Sequence, residues 1–283
     1  MDFPPAIIDG LPNVCGWDHE RSHATQTGRD RPVFLHECGI DLGRASGACA
    51  IALHMHQPLI PAGGPGRGSD LTREPLIGNL QFMEQSPYEE DRHNARLYRW
   101  CYRRPADFIR QLVHEGAQPR LTLNYSGTLL HGLTQMGATD VLDALRGVTC
   151  DPAYRHCVEW LGTTWGHAVA PSTPPQDFRL HVTAWQNQFA SLFGWEALSR
   201  VRGFMPSELA LPNHPDVAHA FVKTLKACGY QWIVVQEHTV ENPDTGWGSP
   251  FLHLPNRLVC TNSAGESESI LVFIKTQGSD TKL

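Results

Sequence analysis

The feature that most constrains the fold is an alternation of short apolar runs with amphipathic helical patterns. Apolar runs typical of buried strands lie at 48–53, 120–126, 231–236 and 269–275. Between them, one stretch repeats apolar residues at steps of four and three, which predicts a helix with a single apolar stripe: Phe178, Val182, Trp185, Phe189 and Leu192. Strands alternating with such helices are typical of βαβ units, so the sequence predicts an α/β fold with a parallel sheet.

Weaker patterns complete this outline. Residues 157–171 begin as a strand and end in a loop, and 201–205 form another short apolar run. Residues 91–114 are helical in pattern, with a break expected near Pro105, and 141–147 predict a short helix that ends at Gly147. Residues 213–229 predict a further helix. Residues 1–47 are polar and irregular, so we expect an N-terminal extension followed by one domain over 48–283.

Composition excludes several classes of function. The 283 residues carry 23 basic and 29 acidic side chains, and the basic ones are scattered, so we expect no nucleic-acid partner and no polybasic membrane patch. No apolar run approaches the ~18 residues of a membrane span. The first residues lack a signal-peptide pattern and the eight cysteines form no CxxC pair, which indicates free thiols and a cytoplasmic protein. The oligomeric state stays open.

Polar side chains cluster just after three of the predicted strands. His54, His56 and Gln57 follow the first strand, the segment from Glu159 to His167 spans the end of another, and Glu208 follows a third. In parallel barrels and open parallel sheets, active sites are built at the carboxyl ends of the strands. We therefore expect these clusters to meet at one edge. No glycine-rich phosphate loop is present, so no nucleotide cofactor is expected.

Glu208 admits two interpretations. It lies in the apolar stretch GFMPSELAL, where we expect its carboxylate to be partly buried. Burying an unpaired carboxylate costs free energy, so such a residue is expected mainly where it has a function. Alternatively it belongs to the first turn of the next helix, where the helix dipole favours a carboxylate. The sequence around the residue does not decide between these two alternatives.

The other candidates also have plain structural alternatives. His54 and His56 form an H-x-H pattern that suits a divalent metal, but no second histidine pair at ligand spacing supplies further ligands. Gln57, with a donor and an acceptor, fits a hydrogen-bonding wall better. Glu159 can simply face solvent from an edge strand. His167 in a loop and Trp165 beside it can be satisfied by packing alone.

Taken together, the motifs resemble glycoside hydrolase family 57. The stretch LHMHQP is similar to the family's first signature, VEWLGTTWGHAVAP to its second and GFMPSELAL to its third, which carries the nucleophilic glutamate. LTLNYSGTLL is similar to the stretch between the first two. The resemblance covers about 48–275. It implies an incomplete (β/α)7 barrel and a retaining hydrolase or transglycosylase that acts on α-glucans.

Carried onto this chain, the resemblance makes Glu208 the catalytic nucleophile. His56 and Gln57 would line the subsite at the cleavage point, with His54 beside them, while Glu159 and His167 would orient sugar hydroxyls. Trp165, together with Trp160, would supply stacking faces. We expect no metal and no cofactor, and the resemblance implies an oligo- or polysaccharide partner.

One departure from the family concerns the general acid. Retention needs a second carboxyl about 5 Å from the nucleophile. The family's aspartate signature, which follows the nucleophile, has no counterpart here, unless Glu237 after the apolar run 231–236 takes its place. We therefore expect a barrel truncated at its C-terminal end and a chain with little or no turnover. A non-catalytic glucan-binding remnant and a metal-dependent hydrolase using His54 and His56 remain as alternatives.

Overall fold

The structure is a computed structural model, and it describes residues 3–27, 41–62, 75–240 and 251–275. The strands of these segments are β1 (Ile7–Ile8), β2 (Leu11–Pro12), β3 (Ala52–Met55), β4 (Leu59–Pro61), β5 (Leu76–Gly78), β6 (Leu121–Tyr125), β7 (Val158–Gly162), β8 (Gly203–Phe204), β9 (Trp232–Gln236), β10 (Asn256–Thr261) and β11 (Ser267–Lys275). The α-helices are α1 (Asp18–Gln26), α2 (Asn79–Glu84), α3 (Glu89–His114), α4 (Gly127–Gln135), α5 (Thr139–Cys150), α6 (Pro175–Ser199) and α7 (Pro215–Ala227).

One sheet organises the molecule. Its strand order is β10-β11-β9-β8-β7-β6-β3. β10 is antiparallel to β11, and all other neighbours are parallel. The predicted α/β fold with a mostly parallel sheet is therefore confirmed. In the described part of the chain, the end strands β3 and β10 each pair with a single strand of this sheet. Closure into a (β/α)7 barrel stays a prediction.

The order of the strands places most helices on one face. From β3 through β6, β7, β8 and β9, each parallel strand lies beside the one that precedes it in this sheet. Because crossovers between parallel strands are almost always right-handed, stepping steadily in one direction puts the connecting helices on the same side. The opposite face of these strands is not covered by the connecting helices, and we call it the site face.

The long helix α6 anchors this arrangement. Every residue of its predicted apolar stripe is buried, with Val182, Trp185 and Phe189 fully inaccessible. The Trp185 Nε1–H donates to the carbonyl of Tyr125 at 2.8 Å, and the Phe189 ring lies 5.3 Å from that of Trp160 in β7. These contacts fix β6 and β7 against α6, so the carboxyl ends of both strands are held in place.

Two helix boundaries differ from expectation. α3 runs through Pro105 without a break, since the buried residues on either side, Tyr102 and Ile109, hold the helix against the core. α5 continues past Gly147 to Cys150. A Cβ at Gly147 would lie 1.9 Å from the guanidinium of Arg110, so glycine here leaves room for the Arg110 side chain and does not end the helix.

The described part of 1–47 is more regular than expected. β1 and β2 form an antiparallel hairpin, and α1 follows it. This region is tied to α6: the Asn187 amide donates to the carbonyl of Val14 at 2.9 Å, and the Trp17 ring lies 6.3 Å from that of Trp195. Residues 28–40, also expected to be irregular, lie outside the described residues.

Two general features of the chain can also be stated. None of the helices in the described segments is long and apolar enough to cross a membrane. The seven cysteines within these segments are free thiols, and the eighth, Cys38, lies outside them.

Candidate active site

Three histidines and a glutamate meet on the site face. His54 lies in β3 and His56 just beyond it, His167 lies in the loop after β7, and Glu208 follows β8. The first strand was expected over 48–53, but β3 pairs with β6 only from Ala52 onward. His54 is therefore inside the strand rather than beyond its end.

His167 is the centre of this cluster. Its Nε2 lies 3.0 Å from Nε2 of His54 and 3.7 Å from Oε1 of Glu208. The His56 ring stacks on the His167 ring, with centroids 4.0 Å apart and planes inclined by 18°. The structure therefore brings together His54, His56, His167 and Glu208, which the sequence spreads over more than 150 residues.

Asn124 in β6 and Ser126 just after this strand orient two of the histidines, and neither was expected in the site. Oδ1 of Asn124 lies 2.6 Å from Nδ1 of His54, and the hydroxyl of Ser126 lies 2.8 Å from Nδ1 of His56. Asn124 and Ser126 are fully buried. The signal that could have found Asn124 is its position as a polar residue inside the apolar run LTLNYS.

Burial and close neighbours keep two of the imidazoles uncharged. Burial, with the neighbouring His167 and His54 acting in the same direction, lowers the pKa of His56 to about 4. Burial also lowers the pKa of His167, with His54 adding to the effect and the Glu208 carboxylate opposing it. At neutral pH both rings are therefore neutral, and each can donate one hydrogen bond and accept another.

Glu208 has an unusual backbone. It lies in a short 3-10 turn, Ser207–Leu209, with φ 58° and ψ 16°, and Leu209 has φ 53°. Non-glycine residues in this left-handed region are uncommon, and they concentrate at functional sites. α7 begins only at Pro215. The alternative that Glu208 stabilises the first turn of that helix is therefore wrong, because the dipole effect falls off within a turn.

The Glu208 side chain is also more exposed than its apolar context predicts. Its exposed fraction is 70%, whereas Ser207 and Leu209 on either side are buried. The left-handed turn directs Leu209 into the core and leaves the carboxylate outside. There it borders an open cavity of about 150 Å³, lined by His54, Met205, Pro206, Glu208, Leu209 and Gln236.

A side-chain bridge joins the two loops that carry His167 and Glu208. The hydroxyls of Thr164 and Ser207 lie 2.6 Å apart, and both residues are buried. The Thr164 hydroxyl also donates to the carbonyl of Ala168 at 3.1 Å. His167 itself has φ 57°. Because one buried contact links the two strained segments, a shift of either loop would change the distance between His167 and Glu208.

Glu159 lies on the same face of the sheet as His54, but two residues nearer the amino ends of the parallel strands. β7 has β6 and β8 as neighbours, so the alternative of an edge strand is wrong, although the side chain is exposed. Its partner in β6 is Thr122, which itself pairs with Ala52. Glu159 is thus two residues, about 6.6 Å, from the level of His54. Although solvent reaches this side chain, partial desolvation raises the pKa of its carboxyl group.

Gln57 is held by protein groups rather than directed into the cavity. Its Nε2 donates to the hydroxyl of Tyr102 at 2.7 Å, and its Oε1 accepts from the Asn79 amide at 2.7 Å. The residue is buried. These bonds fix the segment that follows His56 to α2 and α3.

The two tryptophans of this region differ. Trp160 is buried against Phe189 and Phe193 on the helix side, so the expectation that it offers a face to a sugar is wrong. Trp165 is partly buried in the loop before His167. Its ring lies against Gly127, where a Cβ would approach Trp165 Cδ1 to 2.2 Å. Glycine at 127 is what lets the ring occupy this place.

The histidine pair shows no metal-binding arrangement. Nδ1 of His54 lies against the side chain of Asn124, and Nδ1 of His56 lies against that of Ser126. Over the part of the chain that the structure describes, no group of three or more His, Cys, Asp or Glu residues is arranged to hold a metal ion. The metal-dependent alternative therefore has no ligand set in these segments.

A parallel α/β sheet with histidines and a carboxylate at the carboxyl ends of its strands defines an enzyme-like site. Comparison with known proteins agrees with the motifs. The sequence model of glycosyl hydrolase family 57 matches residues 50–277. The chain belongs to glycosyl hydrolase family 57, and the resemblance inferred from the motifs is confirmed. No curated protein sequence matches the chain at a significant level.

Two solved structures show the same fold. The 4-alpha-glucanotransferase from Thermococcus litoralis is 20% identical, with a TM-score of 0.52 over 80% of this chain and 27% of that chain. The GH57-type branching enzyme from Pyrococcus horikoshii is 13% identical, with a TM-score of 0.51 over 84% of this chain and 48% of that chain. This chain therefore spans between about a quarter and a half of these relatives.

Proposed function

We propose that this chain carries the nucleophile side of a retaining glycosidase or transglycosylase site for α-glucans, with Glu208 as the nucleophile. The observation that carries the proposal is the place of Glu208: an exposed carboxylate after β8, on a strained turn, 3.7 Å from His167 and bordering a cavity. Family membership supports the chemistry, and of the two solved relatives one is named a 4-alpha-glucanotransferase and the other a branching enzyme.

The neighbouring residues take roles that follow from their contacts. His54, His56 and His167 hold the sugar at the cleavage point, where the neutral rings of His56 and His167 can each donate one hydrogen bond and accept another. Gln57 keeps the segment after His56 in place through Tyr102 and Asn79. Glu159 accepts a hydrogen bond from a sugar hydroxyl on the site face. Trp165 stacks on a sugar with the ring face that is turned away from Gly127.

The sheet is proposed to be part of a (β/α)7 barrel. The support is the order of the parallel strands, in which each strand lies beside its predecessor, as in a barrel that is wound in one direction. In a barrel the site face becomes the interior, where Glu159 would point toward the substrate.

A retaining site also needs a general acid. Among the described residues that line the cavity, Glu208 is the only carboxylate. Retention with natural glucans requires a second carboxyl to protonate the leaving oxygen. We therefore expect little or no release of sugar from maltoheptaose by this 283-residue chain. Glu237, which follows the cavity residue Gln236, is the candidate to test first.

A glycosyl fluoride tests the nucleophile without the acid, because fluoride leaves unprotonated. We expect 5-fluoro-α-glucosyl fluoride or its maltosyl analogue to react with the chain: a Glu208 oxygen bonds to C1 as the C1–F bond breaks. Mass spectrometry of the intact protein and its peptides locates the label. Glu208→Gln should abolish labelling, and Glu115→Gln, at an exposed residue of the α3 end, should not. Absence of label, or label on another residue, would contradict the proposal.

The second candidate function is glucan binding without catalysis. It is favoured because Glu208 is the only carboxylate among the described residues that line the cavity. It predicts calorimetric binding of maltoheptaose that His56→Ala weakens, together with no labelling by the fluoride. His93→Ala, at an exposed histidine on α3, serves as the matched control. Binding that is unaffected by His56→Ala would count against this alternative.

A further inference from the structure

The buried amide of Asn124 has only one possible orientation. Its Nδ2 donates to the carbonyl oxygens of Leu161 at 3.0 Å and Gly162 at 3.3 Å. Carbonyl oxygens only accept hydrogen bonds, so the amide nitrogen must face them. Asn124 Oδ1 therefore points the other way, toward His54, and it too can only accept.

This orientation determines where the proton of His54 lies. Nδ1 of His54 lies 2.6 Å from Asn124 Oδ1. Because that oxygen cannot donate, Nδ1 must carry the hydrogen. In the neutral ring only one nitrogen is protonated, so Nε2 of His54 is then an acceptor.

The same reasoning extends to His167. Its Nε2 lies 3.0 Å from Nε2 of His54, and two acceptor nitrogens at that distance would repel each other. With His54 Nε2 as the acceptor, Nε2 of His167 must carry the hydrogen. That N–H also lies within 3.7 Å of Glu208 Oε1, so it can reorient toward the carboxylate or toward a bound sugar.

We propose that Asn124 is a positioning residue that sets the tautomers of the site: through β7 carbonyls it fixes His54 as the Nδ1–H form and His167 as the Nε2–H form. The site then presents an N–H donor at His167, beside the carboxylate of Glu208, and a basic nitrogen at His54. The consequence for catalysis rests on the proposed function. The tautomers follow from the hydrogen-bond geometry alone.

The tautomers can be measured directly on the unmodified 283-residue chain. Long-range proton–nitrogen correlation spectra of protein labelled with 15N-histidine, recorded at pH 8 where free histidine is neutral, distinguish the two ring nitrogens. His54→Gln and His167→Gln assign the signals. We expect His54 as Nδ1–H, the minor form of free histidine, and His167 as Nε2–H. Finding His54 as Nε2–H, or His167 as Nδ1–H, would overturn the inference.

A variant makes the causal role of Asn124 testable. Asn124→Leu is close in size and removes the acceptor, so we expect His54 to revert to the Nε2–H form that free histidine prefers. Exposed His93 should keep its spectrum and report that the fold is intact. Retention of Nδ1–H on His54 in the folded variant would refute the role of Asn124. If the variant does not fold, the tautomers of the unmodified chain decide the question.

Glucan binding separates this inference from the proposed function. If the proposed function holds, Asn124→Leu should weaken maltoheptaose binding by about fivefold, the effect of losing one hydrogen bond. The expected tautomers without any glucan binding would preserve the inference and refute the function. Glucan binding with the wrong tautomers would do the reverse.

Discussion

The lowered pKa of His56 makes the stability of this protein depend on pH in a predictable direction. Burial and the two neighbouring histidines lower the pKa of His56 from 6.5 to about 4. Between these two pH values the unfolded chain binds a proton that the folded chain does not. The free energy of unfolding should therefore be constant above about pH 6.5 and decrease as the pH falls toward 4.

The magnitude follows from the two pKa values. With 6.5 in the unfolded chain and about 4 in the folded one, linkage gives about 2 kcal/mol less stability at pH 5 than at pH 8. His56 is only half-buried, so solvent screens part of this effect. We therefore expect a loss of about 1 kcal/mol from His56. His167, whose pKa is also lowered by burial, contributes in the same direction.

Urea unfolding followed by tryptophan fluorescence at pH 5 and pH 8 measures this loss. His56→Gln keeps an acceptor for Ser126 and removes the titrating group. The difference between the two pH values should shrink by about 1 kcal/mol in this variant. His93→Gln, at an exposed position on α3, controls for the loss of an imidazole. Equal losses of stability in the wild type and in His56→Gln would refute the reasoning.

Three further substitutions test the packing around the site, each by urea denaturation. Gly127→Ala places a Cβ 2.2 Å from Trp165 Cδ1 and should cost about 1–3 kcal/mol through overpacking; an unchanged midpoint would contradict this contact. Trp185→Phe removes the 2.8 Å bond to the carbonyl of Tyr125 and should cost about 1–2 kcal/mol. At Glu208, where φ is 58°, glycine should be more stable than alanine by about 1 kcal/mol; the opposite order would show that the turn is not strained.

The parallel sheet and α6 could be predicted because each shows a strong periodic pattern. The residues from Phe178 to Leu192 that form the apolar stripe recur at steps of three and four, which is the spacing of one buried helix face. α4 was missed for the opposite reason. All residues from Gly127 to Leu133 are buried, and a helix that is buried all round has no polar face to reveal its period. β10 was missed because its antiparallel pairing with β11 is a tertiary contact.

The histidines and the glutamate of the site could be predicted from the sequence, but the residues that orient them could not. His54, His56, His167 and Glu208 carry chemistry that a motif can show. Asn124 is 70 residues from His54 in the sequence, and its importance depends on the pairing of β3 with β6. A single asparagine in an apolar run becomes informative only when its neighbours on the adjacent strands are known.

The backbone of the site explains why local patterns fail there. His167, Glu208 and Leu209 all have positive φ, a region that few non-glycine residues adopt. Such strain persists only where buried neighbours enforce it. Here the Leu209 side chain is buried and Ser207 is bonded to Thr164, so the residues flanking Glu208 are fixed while its carboxylate remains in solvent. An exposed side chain on a backbone that its buried neighbours fix is what a nucleophile needs, because it must reach the substrate without losing its alignment.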